Sequence, residues 1–170
     1  RQRQMCIRDR PETMRLSLQE NKAALLKQLK ERMCDYTFSF SFRPLGFFEK
    51  LRCNRSKYSF KKVFAGICAK YSVTPEQALG VTDIGEKTKK RILKGAYYPT
   101  KNLIFTLALA CGFSMEDTEA LMAVCNVSFD YAIVKDVVVS YLLVNRVHNA
   151  EMIDAALEEY GVDGLFFSFE

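Results

Sequence analysis

The segment from Asp83 to Thr100, DIGEKTKKRILKGAYYPT, constrains the fold more than any other part of the chain. Five of the nine residues from Glu86 to Lys94 are Lys or Arg, and only Ile92 and Leu93 are strongly apolar. A helix of this composition exposes most of its circumference. It is therefore expected to bind an anionic partner or to be simply solvated.

Gly95 and Pro99 mark the end of this basic helix. A glycine is favoured just after a helix C-terminus, and a proline soon afterwards prevents simple continuation. We therefore expect the helix to end by Lys94 or Gly95. Thr100 is then the N-cap of the next helix.

Charge is unevenly distributed along the chain, which has 170 residues and a formal net charge of +5. Residues 1–57 contain 14 basic and 6 acidic side chains, residues 58–101 contain 9 and 3, and residues 102–170 contain 2 and 11. A basic surface favours a polyanion as partner, whereas an acidic surface repels one. A surface that binds nucleic acid is therefore expected before about residue 102.

Hydrophobic periodicity predicts a mainly α fold with one core. It indicates a bundle of about five helices plus two C-terminal helices, joined by residues that suit caps and turns. The segment from Asp130 to Val144 is apolar nearly all round and is expected to be central. The predicted helices are Phe60–Tyr71, Pro75–Gly80, the basic helix, Thr100–Gly112, Ser114–Val124, Asp130–Val144 and Ala150–Tyr160.

The N-terminal third is less regular. Residues 1–10, RQRQMCIRDR, resemble translated sequencing-adaptor sequence. We expect residues 1–11 to be unstructured and non-native, and the natural N-terminus, with any upstream domain, to be missing. Glu12–Met33 has partial helical spacing and is interpreted as a linker helix or as a membrane-surface or partner helix.

Two phenylalanine-rich segments alternate as half-buried strands do. Phe38, Phe40 and Phe42 alternate with polar residues, and Leu165–Glu170 alternates again. We predict that the two segments pair as a small β element. Residues 47–57 mix aromatic and basic side chains, which belong to the core or stack on nucleotides. Residues 12–57 are thus an N-terminal helix with a hairpin or linker, and residues 114–170 an acidic helical extension.

The sequence offers little for catalysis or metal binding. It has six cysteines without a C-x-x-C pair, and His148 is the only histidine, so no metal or other cofactor is expected. Ser72 and Thr74 suit turn and cap positions better than a nucleophile's role, and no glycine-rich phosphate loop occurs. Three cysteines on apolar helical faces are expected to act as small hydrophobes, namely Cys68, Cys111 and Cys125. We expect a reduced, cytoplasmic protein that is not an enzyme and does not span a membrane.

Residues 60–113 resemble the lambda-repressor-like (Xre/Cro-type) helix-turn-helix domain. The resemblance is carried by two short helices around a tight turn and by the segment ILKGAYYPTKNLIFTLALACGFSMED. Residues 114–165 are similar to the helical extension of many Firmicutes proteins of this type. The matching positions there are Ser128, Phe129, Asp130, Ile133, Glu151, Met152, Ile153, Ala156, Leu157, Tyr160 and Gly161.

The resemblance implies double-stranded DNA as partner, with the second helix of the motif in the major groove. By position it implies base contacts from Glu86, Lys87, Thr88 and Lys90. It implies phosphate contacts from Arg91, Lys94, Lys101 and Gln77. A homodimer on a two-fold site is expected, with the acidic extension supplying self-association.

One position departs from the family's pattern. The family usually has an apolar residue where Lys89 stands, three residues before Ile92. A lysine there must extend its ammonium group to the surface, or the helix must rotate. Whether groove binding survives depends on this residue.

The alternative function is a non-catalytic protein-interaction module that has kept the repressor-like fold. It would be accessory to a missing upstream domain or bind a partner protein through Phe38, Phe40 and Phe42. DNA binding at low salt distinguishes the two functions.

Overall fold

The computed structural model describes residues 36–40, 42–55 and 59–166. All of them belong to one compact unit, Asp35–Glu170. The predictions for residues 1–11 and for a helix over Glu12–Met33 lie outside the described residues. So does the end of the predicted C-terminal strand, residues 167–170.

The described chain is mainly α-helical, as predicted, with one small antiparallel sheet. No helix within it is long and apolar enough to span a membrane. Its elements in chain order are β1 (Phe42–Pro44), α1 (Phe47–Arg55), α2 (Phe60–Lys70), α3 (Pro75–Gly80), α4 (Glu86–Leu93), β2 (Tyr97–Pro99), α5 (Lys101–Cys111), α6 (Met115–Val124), α7 (Val134–Val144) and α8 (Ala150–Glu159).

Helix α5 is the centre of the core. Every residue from Asn102 to Leu109 is buried. The helix packs against α3, α6, α7 and β2, so one core holds both the segment predicted as a helix-turn-helix and the acidic extension. Gly112 ends α5 in the left-handed conformation, with φ +69°, where a Cβ would also lie 3.2 Å from Nδ1 of His148.

The predicted caps are present at three helix N-termini. Thr74 accepts a hydrogen bond from the backbone N–H of Gln77, and the Gln77 side chain accepts one from the backbone N–H of Thr74, which completes a capping box. Ser114 and Asn149 accept bonds in the same way at α6 and α8. Each cap satisfies N–H groups that have no partner within the helix.

The small sheet is formed by a different pair of segments from the pair predicted. β1 begins at Phe42, the last residue of the alternating segment, and pairs with β2. Residues 36–40 are not in a strand, and the described Leu165 and Phe166 form a bend whose N–H groups are bound by the buried carboxylate of Asp154. Alternation identified a half-buried segment but not its partner.

One helix boundary differs from the prediction, and one helix was not predicted. α7 begins at Val134 and not at Asp130, because the Asp130 carboxylate accepts the N–H of Ala132 and its carbonyl that of Ile133, which makes a turn before the helix. α1 lies in the segment predicted as a hairpin or linker. Gly46 precedes it, and its N–H is bound by Glu49 of the first turn.

A buried polar network attaches α7 to α5. The ammonium group of Lys135 donates to Oδ1 of Asn102 at 2.7 Å and to the carbonyl of Thr37 at 2.9 Å. Lys101 donates to Oδ2 of Asp136 at 2.5 Å. Both charged residues of α7 therefore point into the protein, where each has hydrogen-bond partners.

Candidate nucleic-acid interface

Helix α4 presents a continuous basic stripe to solvent. Its exposed cations stand at positions i, i+3, i+4 and i+7, which places them on one helical face. They are Lys87, Lys90, Arg91 and Lys94, the last of which is the C-cap residue. On the opposite side, Ile92 is the only fully buried residue of α4. Leu93 is half-buried and also packs against the core.

Lys89 extends its ammonium group to the surface, which was one of the two ways in which a lysine could be accommodated at this position. Its side chain is only 16% exposed, yet its ammonium group reaches Oε1 of Glu86 at 3.1 Å. The alkyl stem therefore covers apolar surface while the charge stays at the rim. This pairing offsets the charge of Glu86, which lies at the N-terminus of the basic stripe.

Arg91 is oriented by Tyr97 of β2. Its Nη1 donates to the tyrosine hydroxyl at 2.6 Å, and its guanidinium lies 5.5 Å from the ring centroid. Tyr97 in turn stacks on Phe42 of β1, with centroids 6.2 Å apart. The small sheet therefore fixes the direction of one cation in the stripe.

The other predicted contact residues have different surroundings. Thr88 is half-buried beside the stripe. Gln77 is exposed, but its side chain is part of the α3 capping box. Lys101 is bound to the buried carboxylate of Asp136, away from α4. The structure therefore brings four of the eight predicted residues onto one face, which also carries Glu86 at its edge.

Lys61 is a cation that sequence analysis did not select. It is exposed on α2 and lines a cleft of about 180 Å³ with Ile92 and Leu93 of α4. Nothing in its spacing connects it to a helix some 25 residues later, because only tertiary packing brings the two together. Glu76 lines the same cleft, so the cleft has one acidic and one basic wall residue.

Cys68, Cys111 and Cys125 are free thiols. Burial raises the pKa of Cys68 to about 12 and that of Cys125 to about 12, and it also raises the pKa of Cys111. A thiol with a raised pKa stays neutral and unreactive at physiological pH. Among the described residues no cluster of His, Cys, Asp and Glu has the arrangement of a metal site.

No family model, curated protein or solved structure matches the chain. The resemblance to the Xre-type domain therefore stays a prediction from the sequence.

Proposed function

We propose that the chain is a DNA-binding transcription regulator of the Xre type that inserts α4 into the major groove. The observation that carries the proposal is the stripe of four exposed cations on a helix that the core holds through Ile92. Such a helix has the shape that the major groove admits and the charge that phosphates attract. Most of the acidic residues of the second half of the chain, 102–170, follow this helix in sequence and are not part of it.

The position of each cation along α4 supports a division of roles. Lys87 and Thr88 lie in the first turn, which in helix-turn-helix proteins contacts base edges. A lysine there donates to the O6 and N7 acceptors of guanine. Arg91 and Lys94 lie one and two turns further on, where they meet phosphates. Tyr97 holds the Arg91 guanidinium in place before DNA arrives, which lowers the entropy lost on binding.

A salt titration of duplex DNA binding tests the proposal. Each phosphate that the protein neutralises contributes a slope of about −0.9 to a plot of log K against log salt concentration. Arg91 and Lys94, the two cations placed at phosphates, therefore predict a slope of about −1.8 for the wild type. The variant Arg91→Ala/Lys94→Ala should bind more weakly, with a slope shallower by about 1.8.

The matched control removes the same charge from another helix. Lys50 and Arg52 are exposed cations of α1, so Lys50→Ala/Arg52→Ala changes the net charge equally. This control should retain the wild-type slope to within about one contact. If DNA binding instead survives the α4 substitutions and is lost with the α1 pair, α4 is not the interface.

The alternative function, an interaction module that binds through the phenylalanine-rich segment, has less support. Phe38, Phe40 and Phe42 are half-buried and pack against the core. A partner would have to displace them from it. If the protein binds no duplex even at low salt, and these residues gain hydrogen-exchange protection only with a partner protein, the interaction module replaces the DNA-binding regulator.

A further inference from the structure

Helix α7 has an exposed face that carries no charge. Its two charged residues, Lys135 and Asp136, are 2% and 1% exposed. Its exposed side chains are apolar and lie between 42% and 65% exposed, at Val134, Val137, Tyr141 and Val144. Surface helices normally show the reverse arrangement. The outer face of α7 therefore has the composition of a surface that another molecule covers.

The spacing of these residues indicates the shape of that molecule. Val134, Val137, Tyr141 and Val144 follow one another at intervals of three, four and three residues. These are the a and d positions of a heptad, which form the contact seam between two helices packed side by side. A helix laid along α7 would meet all four side chains, whereas a strand or loop would not match this period.

A groove runs beside this seam, between α7 and α8. It has a volume of about 470 Å³. This value lies within the about 300–1,000 Å³ of ordinary binding pockets. Its walls contain no charged residue and consist of Tyr131, Ala132, Val134, Val137, Val138, Tyr141, Ala156 and Tyr160. The ring of Tyr131 stacks on Phe129, which stacks on the buried Phe105, so the core supports one wall.

The exposed apolar area is sufficient for a specific interface. Tyr131, Tyr141 and Tyr160 are each nearly two-thirds exposed. An aromatic side chain buries about 150–250 Å² when covered, so the three rings alone offer about 300–500 Å². The three valines of α7 extend this area towards the roughly 800 Å² per partner of a stable complex. A free monomer seldom exposes so large an apolar patch.

The charges around the groove favour a basic partner helix over a second copy of the same face. The exposed charged residues next to its lining residues in the chain are acidic, namely Asp130 beside Tyr131 and Glu159 beside Tyr160, while Arg146 lies beyond the end of α7. A second copy of this face would bring the same carboxylates against them, which costs free energy. A helix with Lys and Arg beside its apolar stripe complements them.

We infer that the groove between α7 and α8 binds an amphipathic helix of a partner protein, apolar along one stripe and basic on its flanks. The partner's apolar residues pack between Tyr141 and Tyr160, and its cations face the carboxylates of Asp130 and Glu159. This surface is separate in sequence from α4, so DNA and the partner helix occupy different helices of the same chain.

A designed peptide tests this inference with the full chain. The probe has three heptads with Leu at a and d, Lys at e and g and Ala elsewhere, and carries a fluorophore. It should bind the wild type, as measured by fluorescence anisotropy, and a peptide of the same composition with scrambled Leu positions should bind at least about tenfold more weakly. A third peptide with Glu in place of Lys should also bind at least about tenfold more weakly.

Substitutions that add negative charge separate groove binding from general attraction. Val137→Asp and Tyr141→Glu make the protein more acidic, so a purely electrostatic attraction to the Lys peptide would strengthen. Occupancy of the groove predicts the opposite, a loss of at least about tenfold for each variant. Val81→Asp adds the same charge at an apolar residue that is 54% exposed outside the groove, and it should bind the peptide as the wild type does.

Two outcomes would overturn the inference. One is binding of the Lys peptide to Val137→Asp with undiminished affinity. The other is a wild-type dimer in sedimentation equilibrium that Val137→Asp converts to a monomer, because a second copy would then occupy the groove.

Discussion

Helices α4 and α7 direct their charges in opposite ways. α4 exposes its cations and buries Ile92, whereas α7 buries Lys135 and Asp136 and exposes valines and a tyrosine. The cations of α4 stay hydrated until an anion replaces the water, so they need no partner for folding. A buried charge loses that hydration and must be compensated within the protein. The charges of α7 are therefore expected to stabilise the fold, and those of α4 to contribute to binding.

The largest effect is expected where a buried charge loses its partner. Asp136 is 1% exposed and is bound through Oδ2 to Lys101, while no described residue bonds to its Oδ1. Lys101→Met keeps the alkyl stem but leaves the buried carboxylate without its cation, while the backbone N–H of Asp130 still donates to Oδ2. We expect the free energy of unfolding in urea to fall by about 3–5 kcal/mol.

The same substitution on α4 is the control for this loss. Lys94→Met removes an exposed cation and should change the free energy of unfolding by no more than about 0.5 kcal/mol. Equal losses of stability in the two variants would mean that burial does not determine how much a charge contributes to the stability of the protein.

The next effect concerns the attachment of α4 to the core. Ile92 is fully buried, and Ile92→Ala should lower the free energy of unfolding by about 2–5 kcal/mol because it leaves a cavity. On α7 the exposed Val137 should behave differently, and Val137→Ala should cost about 0.5 kcal/mol or less in the free protein. Urea denaturation of both variants measures the difference. A small cost for Ile92→Ala would show that α4 is held by contacts other than this side chain.

The Asp117–Lys70 ion pair is intermediate in exposure between the buried charges of α7 and the exposed cations of α4. The Asp117 side chain is 15% exposed and that of Lys70 is 58% exposed. Burial by itself would raise the pKa of Asp117, but hydrogen bonds from Lys70, Tyr71 and Ser114 outweigh it and lower the pKa below its ordinary value. The ionised carboxylate therefore stabilises the folded state above the unfolded pKa of about 3.9. This contribution is lost as the pH falls through the lower pKa of the folded state.

Asp117→Asn should remove that pH dependence. At pH 7 the variant should be less stable than the wild type by about 1.5–3 kcal/mol, because bonds to a charged acceptor are lost. Below about pH 4 the difference should shrink as the wild-type carboxylate becomes protonated. Thermal unfolding at a series of pH values measures this convergence. Two parallel stability curves would contradict the assigned role of the carboxylate.

Local signals predicted most of the helical framework. Thr74, Ser114 and Asn149 cap the helices that their side chains suggested, and Gly95, Gly112 and Gly161 have positive φ after helix ends. These features depend on chemistry within about four residues, which a sequence displays directly. The basic stripe of α4 could also be predicted, because helical spacing alone places its cations on one face.

Features that depend on distant residues were not predicted. The partner of β1 is more than fifty residues away, and alternation carries no information about which segment it pairs with. Lys101 was assigned to phosphate contact, but Asp136 lies 35 residues further on and binds it. The exposed face of α7 was taken as buried, because an apolar run indicates burial without showing whether the protein itself or a partner supplies it.

The smallest effect on stability is expected from the substitutions that matter most for binding. Arg91→Ala/Lys94→Ala removes two exposed charges, and alanine favours a helix at least as well as arginine or lysine. The exposed bond from Arg91 to Tyr97 is also lost, so the free energy of unfolding should change by no more than about 1 kcal/mol. The slope of DNA affinity against salt should nevertheless become shallower by about 1.8. If the variant were instead destabilised by more than about 1 kcal/mol, weaker DNA binding would report unfolding, and the separation between charges that fold the protein and charges that bind its partner would fail.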